Sequence, residues 1–112
     1  MKPMSSLTVC CLAGMLISLA GCSEGDVASG QARAVTCHAC HGGNGMARTP
    51  DVPKIAGQSR LYLARQLRDF RDGRRENLTM SPLAASLTDD QIEDIAAYFE
   101  SLDDCEEPEA RD

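Results

Sequence analysis

Cys37-His38-Ala39-Cys40-His41 is the stretch that most constrains this chain. Two thiols three positions apart, followed at once by an imidazole, match C-x-x-C-H. By this spacing a polypeptide is stitched to a porphyrin through two thioethers, while the histidine lies under the ring and binds its iron. The rest of the composition agrees with a chain that folds around something. With two Tyr, two Phe and no Trp, so small a domain has a thin core unless a large apolar group fills the middle. A bare C-x-x-C also serves as half a zinc site or as a thiol-disulfide redox pair. Structural zinc needs four protein ligands, yet beyond Cys22 the only cysteine outside the motif is Cys105, with no second C-x-x-C and no H-x-x-x-H. A thioredoxin-like site sits beside a βαβ pattern, and no convincing strand can be read here.

The N-terminus indicates the compartment. Met1-Lys2 precedes an uncharged, largely apolar run from Leu7 to Ala20, which ends in Leu19-Ala20-Gly21-Cys22. The run is short for a membrane span and stops at small residues, as a cleaved export signal does. Leu-Ala-Gly-Cys resembles the lipobox of bacterial lipoproteins, so residues 1–21 are expected to be a lipoprotein signal peptide, Cys22 the lipidated residue and 22–25 a tether. Each buried acyl methylene contributes about 0.8 kcal/mol, so several chains make the anchor effectively permanent. Ser23 in place of Asp resembles the signal for the outer rather than the inner membrane. The expected location is the periplasm, held by lipid.

Export also accounts for the six cysteines. Cys10 and Cys11 leave with the leader, Cys22 takes lipid, and Cys37 and Cys40 take haem. Cys105 remains as an odd thiol in an oxidising compartment, either a tolerated surface residue or one half of an intermolecular disulfide.

Periodicity predicts an all-α domain over residues 26–102 with three main helices and loops wrapped around one haem. The first helix runs from Val27 to Cys37 behind Asp26 as N-cap; Gly30 interrupts it and points to close contact with another helix. The second, Ser59 to Asp72, carries Leu63, Leu67 and Phe70 at helical spacing and ends at Gly73. The third, Asp89 to Leu102, begins with a capping box of Thr88 and Gln91 and a staple of Leu87 and Ile92. Ser81-Pro82 reads as a short helix start, with Leu83 to Ser86 adding a turn. The segments 42–58 and 73–80 are loops, and residues 103–112 form an acidic tail expected to be disordered.

The sixth iron ligand follows by elimination. His38 lies between the two anchors, Met46 lies five residues after His41, and Lys54 is poorly placed, so none of them reaches the opposite face. Met80 is well separated in sequence and precedes a proline-started turn, which makes it the candidate.

With these residues in place, the pattern resembles the class I c-type cytochromes, in particular the small bacterial monohaem forms and single halves of the periplasmic dihaem ones. The likeness spans Gly25 to Leu102: Gly25-Asp26 and Gly30, Pro53-Lys54-Ile55-Ala56-Gly57-Gln58, Tyr62, Gln66-Leu67, Phe70 and Gly73, Met80-Ser81-Pro82, and Ala96-Ala97-Tyr98-Phe99. It implies one covalent haem c on Cys37 and Cys40, iron held by His41 and Met80, and the second ring nitrogen of His41 bonded to the Pro53 carbonyl. It also implies that Tyr98 packs near Gly30. With two axial ligands no position is open to oxygen or peroxide, so the expected role is one-electron carriage and not catalysis. The alternative is a haem-based sensor or ligand-binding module in which Met80 is labile.

Charge bears on partners. Removing the leader, whose only charge is Lys2, takes the formal charge from −6 to −7. Arginines gather between Arg60 and Arg75, and acids from Thr88 onward, so the chain reads as dipolar, with the arginines either solvated or meeting propionates or an acidic partner. Nucleic acid is not an expected partner. Redox proteins are: a quinol-oxidising complex or another cytochrome as donor, and an oxidase, peroxidase or reductase as acceptor.

Overall fold

The computed structural model describes residues 24–102, and these are helical with no strand among them. The leader, Cys22, Ser23 and the tail with Cys105 lie outside the described residues. The helices are α1 (Val27–Arg33), α2 (Val35–His41), α3 (Arg60–Arg71), α4 (Met80–Ala84) and α5 (Asp89–Ser101).

Local chemistry accounts for the starts of the outer helices. Asp26 accepts the Ser29 amide proton at 2.7 Å and so caps α1, a bond that holds its carboxyl below the usual range. At α5 both bonds of the capping box form: the Gln91 amide donates to Thr88 Oγ1 at 3.2 Å and the Thr88 amide to Gln91 Oε1 at 3.1 Å. The start of α3 is different. Its cap comes from across the fold, where Glu100 accepts the Arg60 amide proton at 2.9 Å; a carboxylate there also suits the positive end of the helix.

The expected single helix over 27–37 is two helices. The break falls at Ala34 and not at Gly30, and helix continues through the whole motif to His41. At Ala34 ψ relaxes to −3°, far from the helical value, although the bonds on either side survive: Ala34 N–H to the Gly30 carbonyl at 2.9 Å and His38 N–H to the Ala34 carbonyl at 3.0 Å. Gly30 serves the contact that was expected of it. A Cβ there would collide with the Asp94 carbonyl and lie 2.8 Å from the Tyr98 Cβ, so only glycine lets α1 and α5 cross this closely.

The core gathers along α5. Ala34, Leu63, Ala64, Ile92, Ile95, Ala96, Tyr98 and Phe99 form one buried cluster, with Cys37, Ile55 and Leu67 packed against it. Each buried Ile or Phe contributes about 1.5–3 kcal/mol, so α5 is the spine on which α1 and α3 lie.

The arginines of α3 do not all face solvent. Arg68 donates to Glu93 at 2.7 Å, Arg60 reaches Glu93 at 3.5 Å, and Arg71 donates to Asp89 at 2.8 Å. Arg71 and Arg74 also reach Asp72 and Asp69 on their own segment, and Arg75 lies over the Phe70 ring at 4.6 Å. The opposite charges that stand apart in sequence are thus brought together in the fold.

The methionine segment also departs from expectation. Met80 is not at the end of a loop; it is the first residue of α4, and the helix closes at Ala84. Asn77 explains the earlier start, because its Oδ1 accepts the amide protons of both Thr79 and Met80 at 2.9 Å. Pro82 then takes the third helical position, where a missing amide proton costs nothing.

Candidate haem site

The motif lies on α2, so Cys37, Cys40 and His41 share one helical turn and a bit more. The thiols differ in setting. Cys37 is half-buried against the core, and burial pushes its thiol upward from the ordinary range, whereas Cys40 is exposed. They are not joined to each other.

His41 is 8% exposed, and its Nδ1 lies 2.8 Å from the Pro53 carbonyl oxygen. A carbonyl only accepts, so Nδ1 carries the proton, and in the neutral ring Nε2 then keeps its lone pair. An imidazole that is to bind a metal needs this arrangement: one nitrogen bare, the other donating to a fixed backbone acceptor. The loop makes it possible by folding back sharply. Gly42, at φ +81°, ends α2 immediately after His41, and a Cβ there would lie 2.6 Å from the Met46 carbonyl. Further on, the Gly45 carbonyl accepts the Ile55 and Ala56 amides at 3.0 and 3.2 Å, and the Gly57 amide donates to the Phe99 carbonyl at 2.9 Å. These bonds tie the loop to itself and to α5, with Pro53 held over His41.

Met80 comes from a different element. It is half-buried at the head of α4, which packs against α3, and the segment is pinned further by the Asn77 amide donating to Ser81 Oγ at 2.9 Å. Met46 and Lys54 belong to the same loop as Pro53 and follow His41 closely in the chain. His38 is engaged elsewhere: its Nε2 is bonded to the Tyr98 hydroxyl at 3.2 Å. A cleft of about 560 Å³ opens on the outer side of the motif, where Arg48, Thr49 and Val52 face His38, Ala39 and Cys40.

The donor set fits haem c. Two thiols one turn apart would take the thioether positions, His41 Nε2 beside them would supply one nitrogen donor, and the Met80 thioether on a separate element would be available as a second donor. Apolar side chains outside the core, among them Val35, Tyr62, Leu78 and Leu83, supply surface of the kind a porphyrin covers.

Sequence reasoning did not identify three contributors: Asn77, Glu100 and the His38–Tyr98 pair. Asn77 had a readable signal, since an Asn side chain readily accepts the amide protons two and three residues on and so shapes a turn. The other two act across 40 and 60 residues, and nothing local announces them.

Comparison with known proteins gives consistent results. The cytochrome c family model matches residues 27–103. Cytochrome c4 of Pseudomonas aeruginosa is 48% identical over 79 residues, which is 70% of this chain and 39% of that protein. Cytochrome c-554(548) of Halomonas halodenitrificans is 42% identical over 80 residues, covering 69% of this chain and 96% of its own length. The crystal structure of reduced cytochrome c4 from Pseudomonas stutzeri superposes with a TM-score of 0.67 at 40% identity, over 70% of this chain and 46% of that one. The chain therefore spans about two fifths of the length of the cytochrome c4 from Pseudomonas aeruginosa that it matches, and nearly all of the cytochrome c-554(548).

Proposed function

The chain belongs to the cytochrome c family, whose members carry haem c covalently, and from that premise we propose that it is a monohaem one-electron carrier. Residues 26–102 are the carrier domain; residues 1–21 are a signal peptide, and Cys22 is a lipid anchor that keeps the domain in the periplasm at the outer membrane. Cys37 and Cys40 would carry the two thioethers, and His41 and Met80 would hold the iron. The observation that carries this reading is the 2.8 Å bond from His41 Nδ1–H to the Pro53 carbonyl, which leaves Nε2 aimed away from the loop as a ligand.

When bound, the haem supplies a ferric/ferrous couple in which a thioether ligand favours the reduced form. The residues of this chain do the rest. Pro53 fixes the plane and tautomer of His41 and strengthens it as a donor. Asn77 and Ser81 pin the Met80 segment at the head of α4, so the ligand is presented with little freedom to leave. Two ligands held in this way leave no position for substrate, so the role is carriage between a donor such as a quinol-oxidising complex or another cytochrome and an acceptor oxidase, peroxidase or reductase. Association with such partners is expected to be weak, fast and salt-sensitive.

A pyridine haemochrome assay on exported protein, combined with intact mass, tests the assignment. One haem per chain, two thioethers and a mass beginning at acylated Cys22 are expected. Colourless exported protein would sink the reading. A reduced spectrum that changes promptly under carbon monoxide would favour a sensor with labile Met80 instead.

A further inference from the structure

His38, the first residue between the two anchoring cysteines, makes a contact that the site described above does not use. Its Nε2 shares a hydrogen bond with the Tyr98 hydroxyl at 3.2 Å. The ring also meets Tyr98 at a centroid distance of 5.8 Å and the edge of Phe99 at 6.1 Å, nearly perpendicular. Both partners belong to the buried spine, Tyr98 being 5% and Phe99 2% exposed. Through these side chains α2 meets α5.

A helix of seven residues has no stability of its own and takes its orientation from what its side chains touch. His38 and His41 are three apart and neighbours on one face. One is fastened to α5 through Tyr98, the other to the loop through Pro53, and rotation of α2 about its axis must move both. We infer that His38 is a positioning residue for the electron-transfer site: its bond to Tyr98 sets the rotation of α2 and thereby the plane in which His41 presents Nε2. The inference rests on the assignment of His41 as the iron ligand.

Three substitutions in the exported holoprotein test it. Tyr98→Phe removes only the hydroxyl, and His38→Leu removes the partner. His38→Gln retains an amide that reaches as far as Nε2 and serves as donor or acceptor. The measurements are haem stoichiometry by pyridine haemochrome, the ferric g-values by low-temperature electron paramagnetic resonance, the midpoint potential, and the thermal midpoint. Tyr98→Phe and His38→Leu should keep one haem per chain. They should move the largest g-value and the potential in the same direction, the potential by roughly a threefold change in the one-electron exchange equilibrium, or ~30 mV at 59 mV per tenfold. The double variant should move them no further, and His38→Gln should stay at the wild-type values. If the first two variants lower only the thermal midpoint while g-values and potential stay put, or if Gln behaves as Leu does, the inference is overturned. Wild-type protein without haem would instead overturn the functional reading beneath it.

Discussion

The spine of α1, α3 and α5 and the arc of α2, its loop and α4 are held by different forces. The spine is dry and close-packed: Ile92 and Phe99 are fully buried, Gly30 admits α1 to the Asp94 carbonyl, and arginines of α3 grip Glu93 and Asp89 on α5. The arc touches the core through a few side chains, Cys37 and Ile55 among them, and its donor residues are oriented by polar atoms: His41 on Pro53, His38 on Tyr98, and Asn77 on the Thr79 and Met80 amides. A packed core resists change of volume, whereas a hydrogen bond fixes direction. The spine therefore carries stability, and the arc carries the orientation of the donor atoms.

Substitutions that separate the two properties test this division. The largest loss should come from the spine. Gly30→Val forces a side chain into the Asp94 backbone and should cost at least ~3 kcal/mol, read as a thermal midpoint lower by ~12 °C or more. Any protein that still folds should keep nearly the wild-type potential. A large shift in potential would blur the division.

Met80→Ala should do the converse. The potential should fall by more than ~100 mV, the iron should bind carbon monoxide, and the far-ultraviolet spectrum should persist. Retention of the potential and of the methionine–iron absorption band would remove Met80 from the ligand set.

Asn77→Ala is a finer cut within the arc, because it deletes two capping bonds and leaves the ligand. A loss of ~1 kcal/mol is expected. Its signature is that the methionine–iron band melts at lower temperature while helix content melts nearly as before; a shared shift of both would make α4 part of the spine.

The smallest effect lies in the charge lattice. Hydrogen bonding to Arg71 holds the Asp72 and Asp89 carboxyls below their ordinary value of 3.8. Because the folded value is depressed, their contribution is complete above about pH 4 and lost as pH falls through the folded value. An acid titration followed by circular dichroism in low salt should show a limb in that range, and Arg71→Met should flatten it. A limb unchanged by the substitution would mean that the α3–α5 ion pairs add nothing measurable, as is common for exposed pairs.

Legibility in the sequence followed range along the chain. The motif, the Asp26 cap and the Thr88–Gln91 capping box are each complete within four or five residues, and their geometry could be written down before folding. The helix boundaries were less secure. The break falls at Ala34 and not at Gly30, and α4 begins at Met80, where the Asn77 side chain takes up the Thr79 and Met80 amide protons. The arginine-rich and acid-rich blocks could not be matched from composition; in the fold Arg60 and Arg68 meet Glu93, and Arg71 meets Asp89, across α3 and α5.

By itself the sequence determined the chemistry: two thiols, an imidazole and a distant thioether, carried on an all-helical chain too poor in aromatics to fill its own middle. Those are properties of residue identity and short spacing, which survive in any conformation. Only the tertiary structure decided which nitrogen of His41 is bare, what Tyr98 and Glu100 touch, and where α3 places its arginines. Each is a hydrogen bond or ion pair between residues far apart along the chain, and such a partner is chosen only when packing brings the two within about 3 Å.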